Sequence, residues 1–472
     1  MRSTMQSLPT RHQIITFFAA LVTSVGCIES AEALTLPNLI QAASEQHPTI
    51  QAARQSVNAA NKDIDAARRQ YWPTPSAVLE SGASNTLQTS TQLLRVEQTV
   101  WDFGFTKANV NISERGAGVA TAALNAQIQT ICLQVIEAWG TLLSNHGRIQ
   151  VAEATLKRLQ LHESMMLRRV SGELSTQIDL ELVRSRILQS QVELTQAKTG
   201  VSVSLTRLQN LVGMADLEAR LTSPPPMPSR AHLDQQFEKL GQTDWEQAAT
   251  HQPSVLRAEE ELRQGRERIN AKTAQTRPQI YARLDQSVNG RRDSAIYLGL
   301  RYSPGAGFAT FAEESALAAR ALALEQSVNA AKIEARQLLD LDRDSVRDAM
   351  LRARSLDSAL QGAQRVFESY ERQFPAGRKT WIDLLNAVRE VAQNAYSLAD
   401  ANASQATALY RLQLRVDPAS VGTAPDDTGT AFSSNAAEVD NRIRMEASAG
   451  HGALPVLVQS AQSPIPDENP SR

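Results

Sequence analysis

The sequence predicts a mainly α-helical fold with a small β part, in which an internally duplicated protomer carries long antiparallel coiled-coil helices and four strands. A pattern of residues recurs at a constant offset of 205 positions, which indicates duplication. No proline occurs between Pro75 and Pro224, and apolar residues make up 42% of the chain while aromatic residues make up only 5%. Long helices rich in alanine and leucine are typical of such a composition.

The charge balance excludes two classes of partner. The 472 residues include 48 Lys and Arg against 50 Asp and Glu, so the formal net charge is only −2. A nucleic-acid binder would carry a strongly basic surface, and a solvating tail protein would carry the opposite excess. We therefore expect no nucleic acid as a partner.

Residues 1–33 have the composition of a signal peptide. Arg2 and Arg11 precede an apolar run at 14–25, and residues 31–33 offer an A-x-A cleavage site, so we predict export. Lipidation of Cys27 is the alternative, although Ser24 stands where lipid-attachment signals prefer a branched apolar residue. After the leader we find no segment of the ~18 to 20 apolar residues that a transmembrane helix needs, so strands would have to cross any membrane.

The repeat divides the remaining chain into two similar halves. His47-Pro48-Thr49-Ile50 returns as Gln252-Pro253-Ser254-Val255. The predicted organisation lists a signal peptide, a first repeat, a Pro-rich linker, a second repeat and a disordered tail, at 1–33, 34–220, 221–240, 241–416 and 417–472. Within each repeat the expected order is helix, two strands and two long helices.

The long helices need a partner along their whole length. A helix from about 107 to 168 would be roughly 90 Å long, far beyond the usual globular helix. Apolar and small residues follow a 3–4 spacing from Leu180 to Leu211, and a looser version runs from Leu384 to Leu412. This spacing predicts coiled-coil seams with positions of close approach.

Alternating segments between the helices predict four strands. They lie near 76–84, 91–101, 277–288 and 294–303. One face of these segments is apolar and the other is mixed, which fits either a half-buried soluble sheet or a barrel with lipid outside and water inside. Aromatic residues cluster at the segment ends, where they fit either a membrane-interface girdle or a sheet core; the candidates are Trp101, Phe103, Tyr302 and Phe308.

Four strands cannot close a barrel, since a barrel with a filled interior takes about eight and an open channel takes more. Three protomers would supply twelve strands and would pair both free edges at once. A barrel therefore requires oligomerisation.

This arrangement resembles the TolC family of trimeric outer-membrane channel proteins. The resemblance is carried by the paired openings at Pro48 and Pro253, by Gln98-Thr99-Val100-Trp101-Asp102-Phe103-Gly104, and by the turns at 172–175 and 377–387. It covers about residues 34–416. It implies a homotrimer with a twelve-stranded β-barrel in the outer membrane, continued by an α-helical barrel in the periplasm. It also implies two partners, a periplasmic adaptor and an inner-membrane ABC transporter or proton-driven pump.

The resemblance assigns roles to the two helix turns. Those implied to contact the adaptor are Gly172, Glu173, Leu174, Gly377, Arg378 and Lys379. The glycines have a simpler explanation, because a tight reversal needs positive φ. The family narrows its entrance with acidic side chains after the second turn, and Asp383 matches one such position while Asn386 stands where a second acid occurs. Asp383 is alternatively a solvated charge on a helix face or a contact to the N-terminal helix dipole.

No catalytic motif is visible, and we expect neither enzymatic activity nor a cofactor or metal. The seven histidines are scattered, and His47 beside Pro48 is expected to be a helix N-cap. The leading hypothesis is an outer-membrane channel of a type I secretion system, because the sequence around the second turn is most similar to adhesin-exporting members. A drug or metal efflux channel is the alternative of the same class, and a soluble periplasmic coiled-coil scaffold is the alternative of another class.

Overall fold

The computed structural model describes residues 35–84, 87–214, 217, 226–288 and 293–417. The predicted signal peptide with Cys27, all of the predicted tail after Asp417 and residues 221–225 of the predicted linker lie outside these ranges. The prediction of a mainly α-helical, internally duplicated fold with four strands is confirmed.

Five elements of the first half of the chain recur in the second half in the same order. The helices are α1 Leu36–Gln46, α2 Pro48–Arg69, α3 Phe105–Ser171, α4 Gln177–Val212, α5 Arg230–Leu240, α6 Trp245–Thr250, α7 Pro253–Gln275, α8 Ala309–Gln373 and α9 Trp381–Val416. The strands are β1 Thr74–Ser84, β2 Leu87–Trp101, β3 Gln279–Ser287 and β4 Ser294–Arg301. The second repeat thus reproduces α2, β1, β2, α3 and α4 as α7, β3, β4, α8 and α9.

Local sequence sets the helix boundaries. His47 is the N-cap of α2, and its Nδ1 accepts a hydrogen bond from the Thr49 backbone N–H at 3.3 Å, which confirms the capping role expected from the sequence. Asp102 accepts hydrogen bonds from the backbone N–H groups of Gly104 and Thr106 at 3.0 and 2.8 Å. These bonds start α3 immediately after β2.

The range 221–240, expected to be a Pro-rich linker, contains a helix. Ser229 caps α5, and Leu233 and Phe237 of α5 pack with Leu409 of α9. The prolines end at Pro228, and an apolar face with helical spacing follows them, so burial of that face overrides the linker composition.

The helices form a row with two free ends. Helix α3 packs against both α4 and α9, and α9 packs against α8, so α4 and α8 lie at opposite ends of the row. The predicted seam of α4 is confirmed, because Leu180, Val183, Ala197 and Leu208 are all buried. The alternating charges at 340–354 in α8 are typical of a solvated helix face, but Asp342 among them is buried.

Helix α3 corrects one prediction about membrane crossing. By length and composition it contains a segment apolar enough to span a membrane, although we found none after the leader. Residues 116–136 carry no charged side chain, and glutamines and threonines among the aliphatic residues hid this segment from a search for continuous apolar runs. Much of the helix serves a protein core, where Ile136 and Leu142 pack with Leu39 of α1 and Leu208 of α4.

The strands form one antiparallel sheet in the order β1-β2-β3-β4. Val96 lies opposite both Pro75 and Leu284, and Leu284 lies opposite Ile296, so these residues share one face. That face is apolar and continues through Leu94, Leu298 and Leu300. The other face carries charged residues and tyrosines. The outer edges of β1 and β4 have no partner strand within the described residues.

Candidate functional site

The two helix hairpins end in turns of the same geometry. In the first turn the Leu174 N–H donates to the Arg169 carbonyl at 2.8 Å, and in the second the Arg378 N–H donates to the Gln373 carbonyl at 3.1 Å. Bonds that span six residues in this way are characteristic of the Schellman C-cap. Both α3 and α8 therefore stop at a defined residue, and the chain reverses into α4 and α9.

The residue with positive φ differs from the prediction at the first turn. Gly377 adopts φ 69°, as expected, but Gly172 has φ −92° and the neighbouring Glu173 adopts φ 58°. A non-glycine residue in this region costs roughly 1 to 3 kcal/mol. The positive φ thus explains why glycine occupies position 377. It does not explain the glycine at position 172, where φ is negative.

A capping box starts the helix after each turn. Thr176 Oγ1 accepts from the Asp179 N–H at 3.2 Å while Asp179 Oδ2 accepts from the Thr176 N–H at 3.1 Å. Thr380 and Asp383 repeat this exchange with the same two distances. The hydrogen bonds from Thr380 lower the pKa of Asp383 below its ordinary value, so this carboxylate is charged at neutral pH.

The remaining turn residues are available to a partner or a passing substrate. The side chains of Glu173, Leu174 and Arg378 are exposed, and Lys379 lies 4.2 Å from the ring centroid of Tyr370. Asn386 is exposed one turn after the partly exposed Asp383. The structure thus brings the candidates for adaptor contact and gating to one end of the helix row.

An aromatic cluster joins the two hairpins just behind the turns. Trp381, the first residue of α9, donates from Nε1 to the Asp179 carbonyl of α4 at 3.0 Å, and its ring lies 5.4 Å from Phe374. His162 of α3 contacts Trp381 and Phe367 edge-on, each at a centroid distance of 6.0 Å. Sequence reasoning missed this cluster, although the spacing of Phe367, Phe374 and Trp381 by seven residues was a visible signal.

His162 is a buried titratable group at the centre of this cluster. Its Nε2 is buried without a hydrogen-bond partner in the described part of the chain, and the nearest carboxylate oxygen, Oε1 of Glu371, lies 4.0 Å away. Burial, with a smaller contribution from the positive charge of Arg158, lowers the pKa of His162 to about 4. The imidazole is therefore neutral at neutral pH.

This burial predicts a loss of stability in acid. The His162 pKa falls from 6.5 in the unfolded chain to about 4 in the folded one, so the stabilisation is complete above pH 6.5 and is lost as the pH falls towards 4. The whole loss amounts to about 3 kcal/mol. We expect the unfolding free energy of His162→Phe to decline less than that of the wild type over this interval, as measured by denaturant titration. Parallel pH profiles for the two proteins would contradict the assignment.

The candidate interface aromatics lie at the opposite end of the helices. Trp101 is the last residue of β2 and Phe103 follows it, while Tyr302 and Phe308 follow β4, so all four lie where the sheet meets the long helices. All four side chains are exposed within the protomer. Among the described residues no cluster of histidine, cysteine or acidic side chains could hold a metal ion.

One family model matches part of the chain. Residues 39–214 match the family model described as outer membrane efflux protein. No curated protein sequence matches the chain.

Solved structures of similar fold cover most of the chain. The outer membrane protein VceC from Vibrio cholerae is 15% identical with a TM-score of 0.70, over 82% of this chain and 96% of that chain. The CmeC outer membrane channel of Campylobacter jejuni is 11% identical with a TM-score of 0.63, over 87% and 89%. The open state of the MtrE outer membrane channel of Neisseria gonorrhoeae is 16% identical with a TM-score of 0.64, over 84% and 91%. Both repeats therefore share the fold of these channels.

Proposed function

We propose that this chain is a TolC-like channel protein of the outer membrane and that it is the passive duct of a type I secretion system. In this role it conducts a protein substrate to the outside from an inner-membrane ABC transporter and a periplasmic adaptor. The observation that carries the proposal is the open-edged sheet with one apolar and one charged face, continued by a helix row that is also open at both ends.

Three copies of the chain would close both the sheet and the helix row into rings. A sheet edge with unpaired N–H and C=O groups cannot face lipid, so β1 of one protomer pairs with β4 of the next. Exposed apolar side chains mark the free ends of the helix row. Phe311, Leu322 and Ile333 recur every eleven residues along α8, and Ile178, Val192 and Val203 are exposed on α4. Contact with neighbouring protomers would bury both stripes.

Protein secretion and small-molecule efflux use the same architecture in this proposal. Similarity of residues 373–387 to adhesin-exporting members favours secretion, while the name of the matched family favours efflux. Deletion of the gene distinguishes secretion from efflux. Loss of one or a few extracellular proteins with unchanged drug and metal sensitivity is the expected result, whereas an unchanged secretome beside raised sensitivity would assign the chain to efflux.

The exposed turns support docking of a periplasmic adaptor. Glu173 and Leu174 in the first turn, with Arg378 and Lys379 in the second, offer charged and apolar side chains at one end of the molecule. We place the entrance gate beside them at Asp383, with Asn386 one turn further. Three copies of the Asp383 carboxylate around a three-fold axis would repel each other and favour cations.

The gate proposal predicts a difference between two chemically matched variants. Asp383→Asn and Asp179→Asn weaken the same capping box at equivalent positions of the two repeats, but only Asp383 is placed at the gate. We expect Asp383→Asn to change single-channel conductance and to lower cation preference in a planar bilayer, with Asp179→Asn close to the wild type. Equal current–voltage curves for all three proteins would leave Asp383 with its capping function alone.

A soluble coiled-coil scaffold is the competing function of another class. Such a scaffold has no use for a sheet whose exposed face includes Ile296, Leu298 and Leu300. A purified protein that stayed monomeric and soluble without detergent would favour the scaffold.

A further inference from the structure

The charged face of the sheet carries a compact belt of ion pairs. We define the belt as Arg95 and Glu97 of β2, Arg283 and Asp285 of β3, and Arg301 at the end of β4. The register places Arg95 opposite Asp285 and Glu97 opposite Arg283. All five residues share the face opposite to the apolar one, because residues two apart in a strand point to the same side.

The belt is held in place by direct contacts between its members. Arg95 binds Asp285 through Nε at 2.9 Å and through Nη2 at 3.2 Å, which is a bidentate pair. Asp285 also lies 3.2 Å from Nε of Arg283. Arg301 pairs separately with Glu97 at 2.9 Å.

Two tyrosines fix the direction of the arginines. The Arg283 guanidinium lies 4.5 Å from the ring centroid of Tyr297, and that of Arg301 lies 4.6 Å from Tyr281. The Tyr281 ring crosses Gly299, where an added Cβ would come within 2.5 Å of Cζ of the ring. A side chain at this position would therefore displace the Tyr281 ring, which supports Arg301.

The belt has one more positive than negative charge. Two arginines share Asp285, so the pair of Arg95 and Arg283 is only half neutralised. The β1 residues that pair with Glu97 and Arg95 are uncharged, since they are Thr74 and Ser76. The acidic residue Glu80 of β1 lies four residues beyond Ser76. The local field at Arg95 and Arg283 is consequently positive.

We propose that this belt is a selectivity element that favours anionic groups, such as the carboxylates of an acidic peptide, as cargo crosses the barrel. The inference rests on the proposed function, because lipid outside a barrel requires the apolar face to point outward and therefore turns the belt towards the lumen. Three protomers would place three surplus positive charges around the pore. Arg283 and Arg95 are the residues that would meet the anion.

Single-channel recording under a KCl gradient tests whether the belt favours anions over cations. We expect Arg283→Gln to lower the chloride-to-potassium permeability ratio by about twofold or more, and Asp285→Asn to raise it. Arg68→Gln removes an arginine that pairs with Glu114 between α2 and α3, outside the sheet, and is expected to leave the ratio unchanged. Should Asp285→Asn fail to assemble, Arg301→Gln is the second belt variant, because the Arg301 side chain is half exposed. Like Arg283→Gln, it is expected to lower the chloride-to-potassium permeability ratio.

Current block by charged peptides tests the cargo chemistry. With the peptide added at the barrel end, away from the Asp383 gate, polyglutamate is expected to block the wild type at lower concentration than polylysine, and Arg283→Gln is expected to narrow that difference. Conducting channels in which neither the permeability ratio nor the peptide block responds to the belt variants would overturn the inference and leave the channel function standing. A wild type without any current would instead overturn the proposed function and the inference with it.

Discussion

Asp342→Asn is expected to lower the free energy of unfolding by about 3 to 5 kcal/mol, because it leaves buried positive charge without its partner. Asp342 of α8 is only 3% exposed, and its two carboxylate oxygens bind Arg411 at 2.8 Å and Arg415 at 2.6 Å on α9. Arg415 is itself mostly buried. Denaturant unfolding of the detergent-purified protein, followed by circular dichroism, measures the change.

Asp344→Asn provides the matched control two residues away. Its carboxylate is exposed and lies 3.6 Å from Arg347 on the same helix, an arrangement worth at most about 1 kcal/mol. Equal losses of stability in Asp342→Asn and Asp344→Asn would show that the ion pairs between α8 and α9 do not stabilise the helix row.

Trp381→Ala is expected to lower the free energy of unfolding by about 3 to 5 kcal/mol, because it empties the centre of the cluster that joins the two hairpins. Trp381 is 6% exposed and packs with Phe374 and with Leu384. Trp381→Phe keeps most of the apolar surface and loses the hydrogen bond to the Asp179 carbonyl, so we expect it to cost about 1 kcal/mol.

Trp72→Ala is the control, because it removes an indole side chain that is exposed and does not belong to a hydrophobic core. Trp72 is 73% exposed, and its removal is expected to change the unfolding free energy by less than about 0.5 kcal/mol. Comparable midpoints of thermal unfolding for Trp381→Ala and the wild type would contradict the role of the cluster in holding the hairpin ends together.

Periodic signals allowed most of the fold to be predicted. The offset of 205 residues identified the two halves, and the 3–4 spacing from Leu180 to Leu211 identified the buried seam of α4. These features depend on neighbouring residues in one helix or strand, and a sequence records such neighbours directly.

Features that depend on distant residues were not predicted. Asp342 lies among alternating charges that fit a solvated face, and only its contact with α9 shows that it is buried. His162 sits in a helix without any special motif, and its altered pKa arises from burial between α3, α8 and α9. The positive φ of Glu173 follows from the position of the turn, which overrides the usual preference for the adjacent glycine.

The turn residues and Asp383 lie together at one end of the helix row, and their roles in adaptor contact and gating stay predictions. The capping function of Asp383 uses its carboxylate in the protomer itself, independent of any pore. The charged belt of the sheet escaped notice because its arginines and acids are spread across three strands that meet only in the folded sheet.

Planar-bilayer recording of the detergent-purified protein tests whether copies of this chain assemble into an outer-membrane channel. We expect discrete, uniform conductance steps that are abolished when the α8 stripe is disrupted by the double variant Leu322→Asp and Ile333→Asp. A flat baseline from wild-type protein that is folded and monomeric in the same preparation would contradict this expectation.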